Sequence, residues 1–127
     1  MADHEDQELT QLAIDVAVGY AQIMTALRHL PIPIQLPEGL VEPKDAVIGM
    51  MRALDLLEEE PLPEGIAHSI QVACASWLNA EDLLRLQVHR PRPYRIAGAI
   101  ICLLTAQTEI VNAMEWLVDH QEDGEQK

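Results

Sequence analysis

The chain of 127 residues contains no phenylalanine, and aromatic residues make up 3% of it. Trp77, Trp116, Tyr20 and Tyr94 are its only rings. Sheets lean on aromatic and β-branched cross-strand pairs, so a core built from Leu, Ile, Val, Met and Ala favours packed helices. Basic residues are also scarce. Eight Lys and Arg face 21 Asp and Glu, a formal charge of −13. A field of that sign repels phosphate backbones and anionic lipid surfaces, which disfavours nucleic acid and membrane as partners.

The groups that carry most chemistry are sparse. Cys74 and Cys102 stand 28 residues apart in apolar segments with no Cys-x-x-Cys pair. That spacing indicates neither zinc nor a disulfide framework, and it suits buried free thiols in a reducing compartment. None of His4, His29, His68, His89 and His120 has Glu three residues before it, and no two are four apart. The helix-borne di-iron and zinc arrangements are therefore missing, and no metal or cofactor is expected. Ser69 and Ser76 are the only serines. Ser69 adjoins His68, but neighbours on a helix point about 100° apart and cannot form a nucleophile–base pair. The six glycines form no phosphate-binding pattern. The longest apolar run, Ile96 to Leu104, is nine residues, short of the roughly 20 a bilayer requires. With an acidic start, Met1 to Asp6, unlike a signal peptide, a cytoplasmic protein is expected.

What is present is a regular punctuation by proline. Pro31-Ile32-Pro33, Pro61-Leu62-Pro63 and Pro91-Arg92-Pro93 recur every thirty residues. Proline lacks the helical donor and disfavours helix in the residue before it, so each pair should interrupt a helix. The expected fold is all-α: a four-helix bundle in a single domain, with helices over 5–30, 43–60, 63–89 and 93–120 and a flexible acidic tail over 121–127. A long proline-rich connection between the first two helices should lie across one end of the core. Apolar stripes are expected at Leu9, Leu12, Ala13, Val16, Tyr20, Ile23, Met24 and Leu27, at Val47, Ile48, Met51, Leu54 and Leu57, and at Ile66, Ile70, Ala73, Trp77, Ala80, Leu84 and Val88. The fourth helix is apolar on every side in its first half. A helix of that kind is buried all round, which here calls for a second subunit or the long connection as cover. A homodimer using Ile100 and Leu104 is the expected assembly.

Three segments could carry function. His89 to Arg95 stiffens three guanidiniums, Arg90, Arg92 and Arg95, beside Tyr94 and a helix start, a set that could hold a carboxylate or phosphate. Arg85 and Arg90 equally suit the negative end of the third helix. In the fourth helix Gln107 lies close to the apolar stripe, where a buried amide needs partners that a ligand can supply. Trp77, Met50, Met51 and Met114 could line an adaptable cavity there, though such residues also make plain core. Glu58-Glu59-Glu60 ends a helix against its dipole, which fits either a cation contact or a solvated turn.

No complete catalytic set is present, so whether the chain is an enzyme is left open. The leading expectation is a non-catalytic helical interaction module acting through a protein partner or self-association. The alternative is a cofactor-independent enzyme or binder for an apolar molecule with an anionic group. In that case the bundle interior would hold the apolar part, Arg92 or Arg95 the anion, and Glu109 or Asp15 could move a proton. A third reading is acidic mimicry of nucleic acid.

Overall fold

A computed structural model describes the backbone of residues 2–125 and the side chains of residues 6–120. The described chain is all-helical: α1 Ala2–Arg28, α2 Pro43–Leu57, α3 Glu64–His89 and α4 Pro93–Glu125. Every break falls at a proline pair or beside one. α2 takes Pro43 in its first turn, where the missing donor costs nothing, and α4 opens on Pro93. The bounds shift slightly from those expected. α2 stops at Leu57, so Glu58–Glu60 lie in the turn beyond it instead of in its last turn. α4 continues to Glu125 in place of a tail starting at 121, and 126–127 lie outside the described residues.

α3 and α4 form the most extensive helix contact, an antiparallel hairpin joined by residues 90–92. α1 packs on both, whereas α2 packs on α3 alone among the helices. In α3 the buried positions Ile70, Ala73, Trp77 and Ala80 advance by alternating steps of three and four. In α4 Ala99, Ala106, Ile110, Ala113 and Leu117 follow the same rhythm. A 3.5-residue period keeps one seam of each helix turned toward the other, and alanines in that seam let the backbones approach.

This alanine seam corrects two expected stripes. The pattern of α4 turns Ile96, Ile100, Leu103, Ile110 and Met114 inward, but of these only Ile110 is fully buried and Ile100 is exposed. The pattern of α2 buries Val47, Ile48, Met51 and Leu54 with Leu57. The folded helix instead buries Ala46, Met50, Ala53 and Leu57 and leaves Ile48 and Met51 exposed. Both helices are apolar over a wide arc, and the side with small residues is the one that packs.

Residues 29–42 connect α1 to α2. Ile34 and Leu36 are buried, the Ile34 N–H donates to the Leu27 carbonyl, and the Tyr20 hydroxyl donates to the Pro37 carbonyl. Arg28 pairs with Glu38, and the Ile32 N–H donates to Glu60 across the α2–α3 turn. One member of the acidic triplet therefore ties the connection down. Gly39, with φ of +89°, supplies a turn that a side chain would strain. The connection covers α1, α2 and α3. It leaves the outer side of α4 open, so it is not the cover that the sequence required for that helix.

Candidate functional site

The Arg-Pro segment caps α3. The Arg90 N–H closes the last turn on the Leu86 carbonyl, and Arg95 donates to the carbonyls of Leu86 and Arg90. Both acceptors lie at the negative end of α3, where a cation is favoured, and the Leu86 carbonyl already holds the Arg90 N–H. Arg92 donates to the Pro91 carbonyl, while its N–H meets the Gln87 side chain. The Arg95 guanidinium also lies 5.7 Å from the Tyr94 ring centroid. Arg92 and Arg95 are thus turned onto the backbone, and Arg90 and Tyr94 are exposed.

The fourth-helix candidates separate. Gln107, expected to be buried, is exposed and sits with Asp15, Val18, Gly19, Gln22, Ile100, Leu103 and Leu104 in a cleft of about 280 Å³ between α1 and α4. It faces outward because Ala106, Ile110 and Ala113 occupy the seam with α3. Glu109 is half-buried elsewhere on the helix, and Trp77 lines a different cavity, between α1 and α3. Met50 is core, Met51 is exposed and Met114 is half-buried beside Val111 and Val118, so these three methionines do not come together around Trp77.

The outer side of α4 is apolar and uncovered. Ile100 is 45% exposed, Ile101 64% and Leu104 57%, with Val111 and Val118 further along and Ile14 and Val18 of α1 beside them. Ala97, Ile100, Leu104, Val111 and Val118 advance at helical steps along a flank of α4, beside an exposed polar row of Thr108, Asn112 and Glu115 that faces away from the alanine seam. Over an 18-residue window within Pro93–His120 the mean hydropathy is 1.5 and 22% of the window is buried. By length and composition alone that helix could cross a membrane.

A second feature lies where the sequence offered only Trp77 as a ligand-lining candidate. A groove of about 450 Å³ runs between α1 and α3 beneath the connection. Ala13, Ala17 and Ala21 form its α1 wall, Trp77 and Leu84 its α3 wall, and Val41, Pro43 and Ala46 its far edge. The indole N–H of Trp77 donates to the Val16 carbonyl at 2.9 Å, which locks the ring, and Tyr20 lies 5.5 Å away at an angle of 48°. Burial, and then the nearby Glu38 carboxylate, push the Tyr20 hydroxyl above its ordinary value of 10.0. Glu81, only 4% exposed, also lines the groove; its Oε1 accepts two hydrogen bonds from Arg85, one turn away. Glu81 is the only buried charged residue among those described. Its position was detectable: four residues after Trp77 it falls within the apolar stripe of α3, where a carboxylate stands out.

Cys74 is buried, and burial pushes its thiol up to about 12. Among the described residues no group of three or more His, Cys, Asp or Glu is placed to hold a metal ion. No protein-family model matches the chain, and no curated protein or solved structure matches it significantly.

Proposed function

We propose that the chain is a self-associating helical interaction module, a four-helix bundle whose working surface is the outer stripe of α4 flanked by α1. The observation that carries this reading is the uncovered row of Ile100, Leu104, Val111 and Val118 along a flank of a helix whose alanine seam is packed. The accessible surface of 8058 Å² exceeds by roughly 1,200 Å² what scaling expects of a globular protein of this mass.

Charge favours a second copy over other occupants. Arg90, Arg92 and Arg95 stand at the start of α4, and Glu115 and Asp119 stand toward its end. An antiparallel pairing of two α4 helices about Leu104 sets each basic end beside its partner's acidic end and opposes the helix dipoles. It also sets each Val111 across from the other copy's Ala97. A bilayer is the poorer occupant. α4 is packed along its length on α3, which carries Glu81, Asp82 and Arg85, and these charges would have to enter hydrocarbon with it.

Sedimentation equilibrium tests this. A dimer is expected at micromolar concentration. Full burial of a leucine is worth about 1.5–3 kcal/mol, and Leu104 starts about half exposed. Counted in both subunits, Leu104→Asp forfeits about 2–3 kcal/mol and places two carboxylates near the axis, raising Kd at least about 30-fold. The helical circular dichroism should be unchanged. A wild-type chain that stays monomeric at tens of micromolar, or a Leu104→Asp variant that dimerises as well as wild type, refutes the reading.

A further inference from the structure

From the groove between α1 and α3 we infer a binding site for a small aromatic or alkyl amine, its ammonium on Glu81 and its apolar body against Trp77. The site is separate from the α4 stripe and does not depend on dimerisation.

The two oxygens of Glu81 are in different states. Both hydrogen bonds from Arg85 fall on Oε1, and Oε2 has no hydrogen-bond partner among the described residues. Among those residues no partnerless side-chain oxygen is sealed from solvent, so Oε2 is reached from the cavities that Glu81 lines. Oε2 is therefore open to solvent in a largely apolar groove, where water is its only other source of a hydrogen bond. A donor entering the groove supplies the missing bond without displacing Arg85.

The charges select the sign of that donor. Glu38 and Glu81 line the groove against the single cation Arg85, and Arg28 pairs with Glu38 from outside the lining. On the other side of Glu81 a second cavity adds Glu42 and Asp82 against Lys44. A ligand carboxylate would meet this excess of acids and would have to take Arg85 from Glu81. An ammonium gains from both.

The walls select the rest of the ligand. Trp77 stands one turn before Glu81 on the same face of α3, a separation that a two-carbon link between ring and ammonium spans. Of the tilted Tyr20–Trp77 pair at the groove floor, half-buried Tyr20 gives most of the accessible aromatic surface and Trp77 is 2% exposed, and the three alanines of α1 leave room opposite them. A volume of about 450 Å³ is within the range of small-molecule sites.

Calorimetric titration of the full chain with 2-phenylethylamine tests the assignment, with 3-phenylpropionate and 2-phenylethanol as matched anionic and neutral probes. The amine should bind at least about tenfold more tightly than either, a difference that one charge-assisted bond accounts for. Glu81→Gln should weaken the amine by at least about tenfold while leaving the alcohol unchanged. Ala17→Leu, on the exposed wall of α1, should block all three with the helical signal and Tm retained. The assignment is overturned if the amine fails to bind at millimolar concentration, or if the acid binds as well as the amine. It is also overturned if a folded Glu81→Gln binds the amine as wild type does. Should Glu81→Gln fail to fold, amine binding that survives Ala17→Leu overturns it.

Discussion

A glycine in the middle of a helix is usually worth replacing, since alanine there gains about 0.5–1 kcal/mol. Gly49 in α2 should behave in the opposite way. A Cβ built at Gly49 would lie 2.7 Å from Pro37 Cδ, 3.3 Å from Pro37 Cγ and 3.7 Å from Leu36 Cδ2. The nearest atom belongs to a rigid ring, and that ring is held on both sides. The Pro37 carbonyl accepts the Tyr20 hydroxyl, and Leu36 is buried in the core. Relief requires the connection to lift off α2, and overpacking of this kind costs about 1–3 kcal/mol. Set against the propensity gain, Gly49→Ala should lose about 0.5–2 kcal/mol.

Two other helical glycines provide controls in the same protein. A methyl placed on Gly65, in the first turn of α3, would have nothing within 4 Å, so Gly65→Ala should gain about 0.5 kcal/mol. At Gly98 the nearest atom is Leu83 Cδ1 at 3.3 Å, the far end of a flexible side chain, and the change should be close to neutral. Urea unfolding followed by circular dichroism at one protein concentration ranks the three, because association would otherwise move the midpoints. If Gly49→Ala is as stable as Gly65→Ala, residues 36 and 37 do not rest on α2, and the roof of the groove is misplaced.

Two further outcomes are expected. Tyr20 is neutral when protonated and its folded-state pKa is raised, so its contribution to stability is present below about pH 10 and is lost as pH rises through the folded value. Glu38→Gln removes the smaller cause and should narrow the shift, as read by absorbance of the phenolate; stability that rises with pH above 10.0 would contradict this. For the cysteines, an aromatic disulfide reagent near pH 8 should find Cys102, half-buried, and spare Cys74, whose thiol is held up to about 12. Two equally fast thiols in the native protein would refute that placement.

The helices were legible because their punctuation is local. Proline blocks helix through its own ring and missing donor, whatever surrounds it, so the breaks at 31–33, 61–63 and 91–93 needed no tertiary information. The middles of the α1 and α3 stripes were also legible, since polar residues interrupt those helices often enough to define one apolar side, but Ala13 and Val88, expected within them, are exposed. α2 and α4 lacked that contrast. Ile48 and Met51 are as hydrophobic as Met50 and Leu57, and only contact with α3 and the connection chose between the two faces. The choice fell on Ala46 and Ala53, and on Ala99, Ala106 and Ala113 in α4, because small side chains permit a closer approach.

The sites divide along the same line. Ile100 and Leu104 stood out in the sequence through excess hydrophobicity, and they are exposed in the folded chain. Arg92, Arg95 and Gln107 stood out through residue type, but their surroundings come from other turns: carbonyls at the end of α3 and in the turn beyond it engage the arginines, and the alanine seam turns Gln107 outward. Glu81 and Tyr20 belong to one groove only because α1, α3 and residues 38–46 converge there. Sequence alone determined that this chain is helical and where its helices break, since both follow from residue chemistry over a few positions. Which face each helix buries, and which polar groups meet, was decided by the tertiary structure, since close packing compares shapes that lie far apart along the chain.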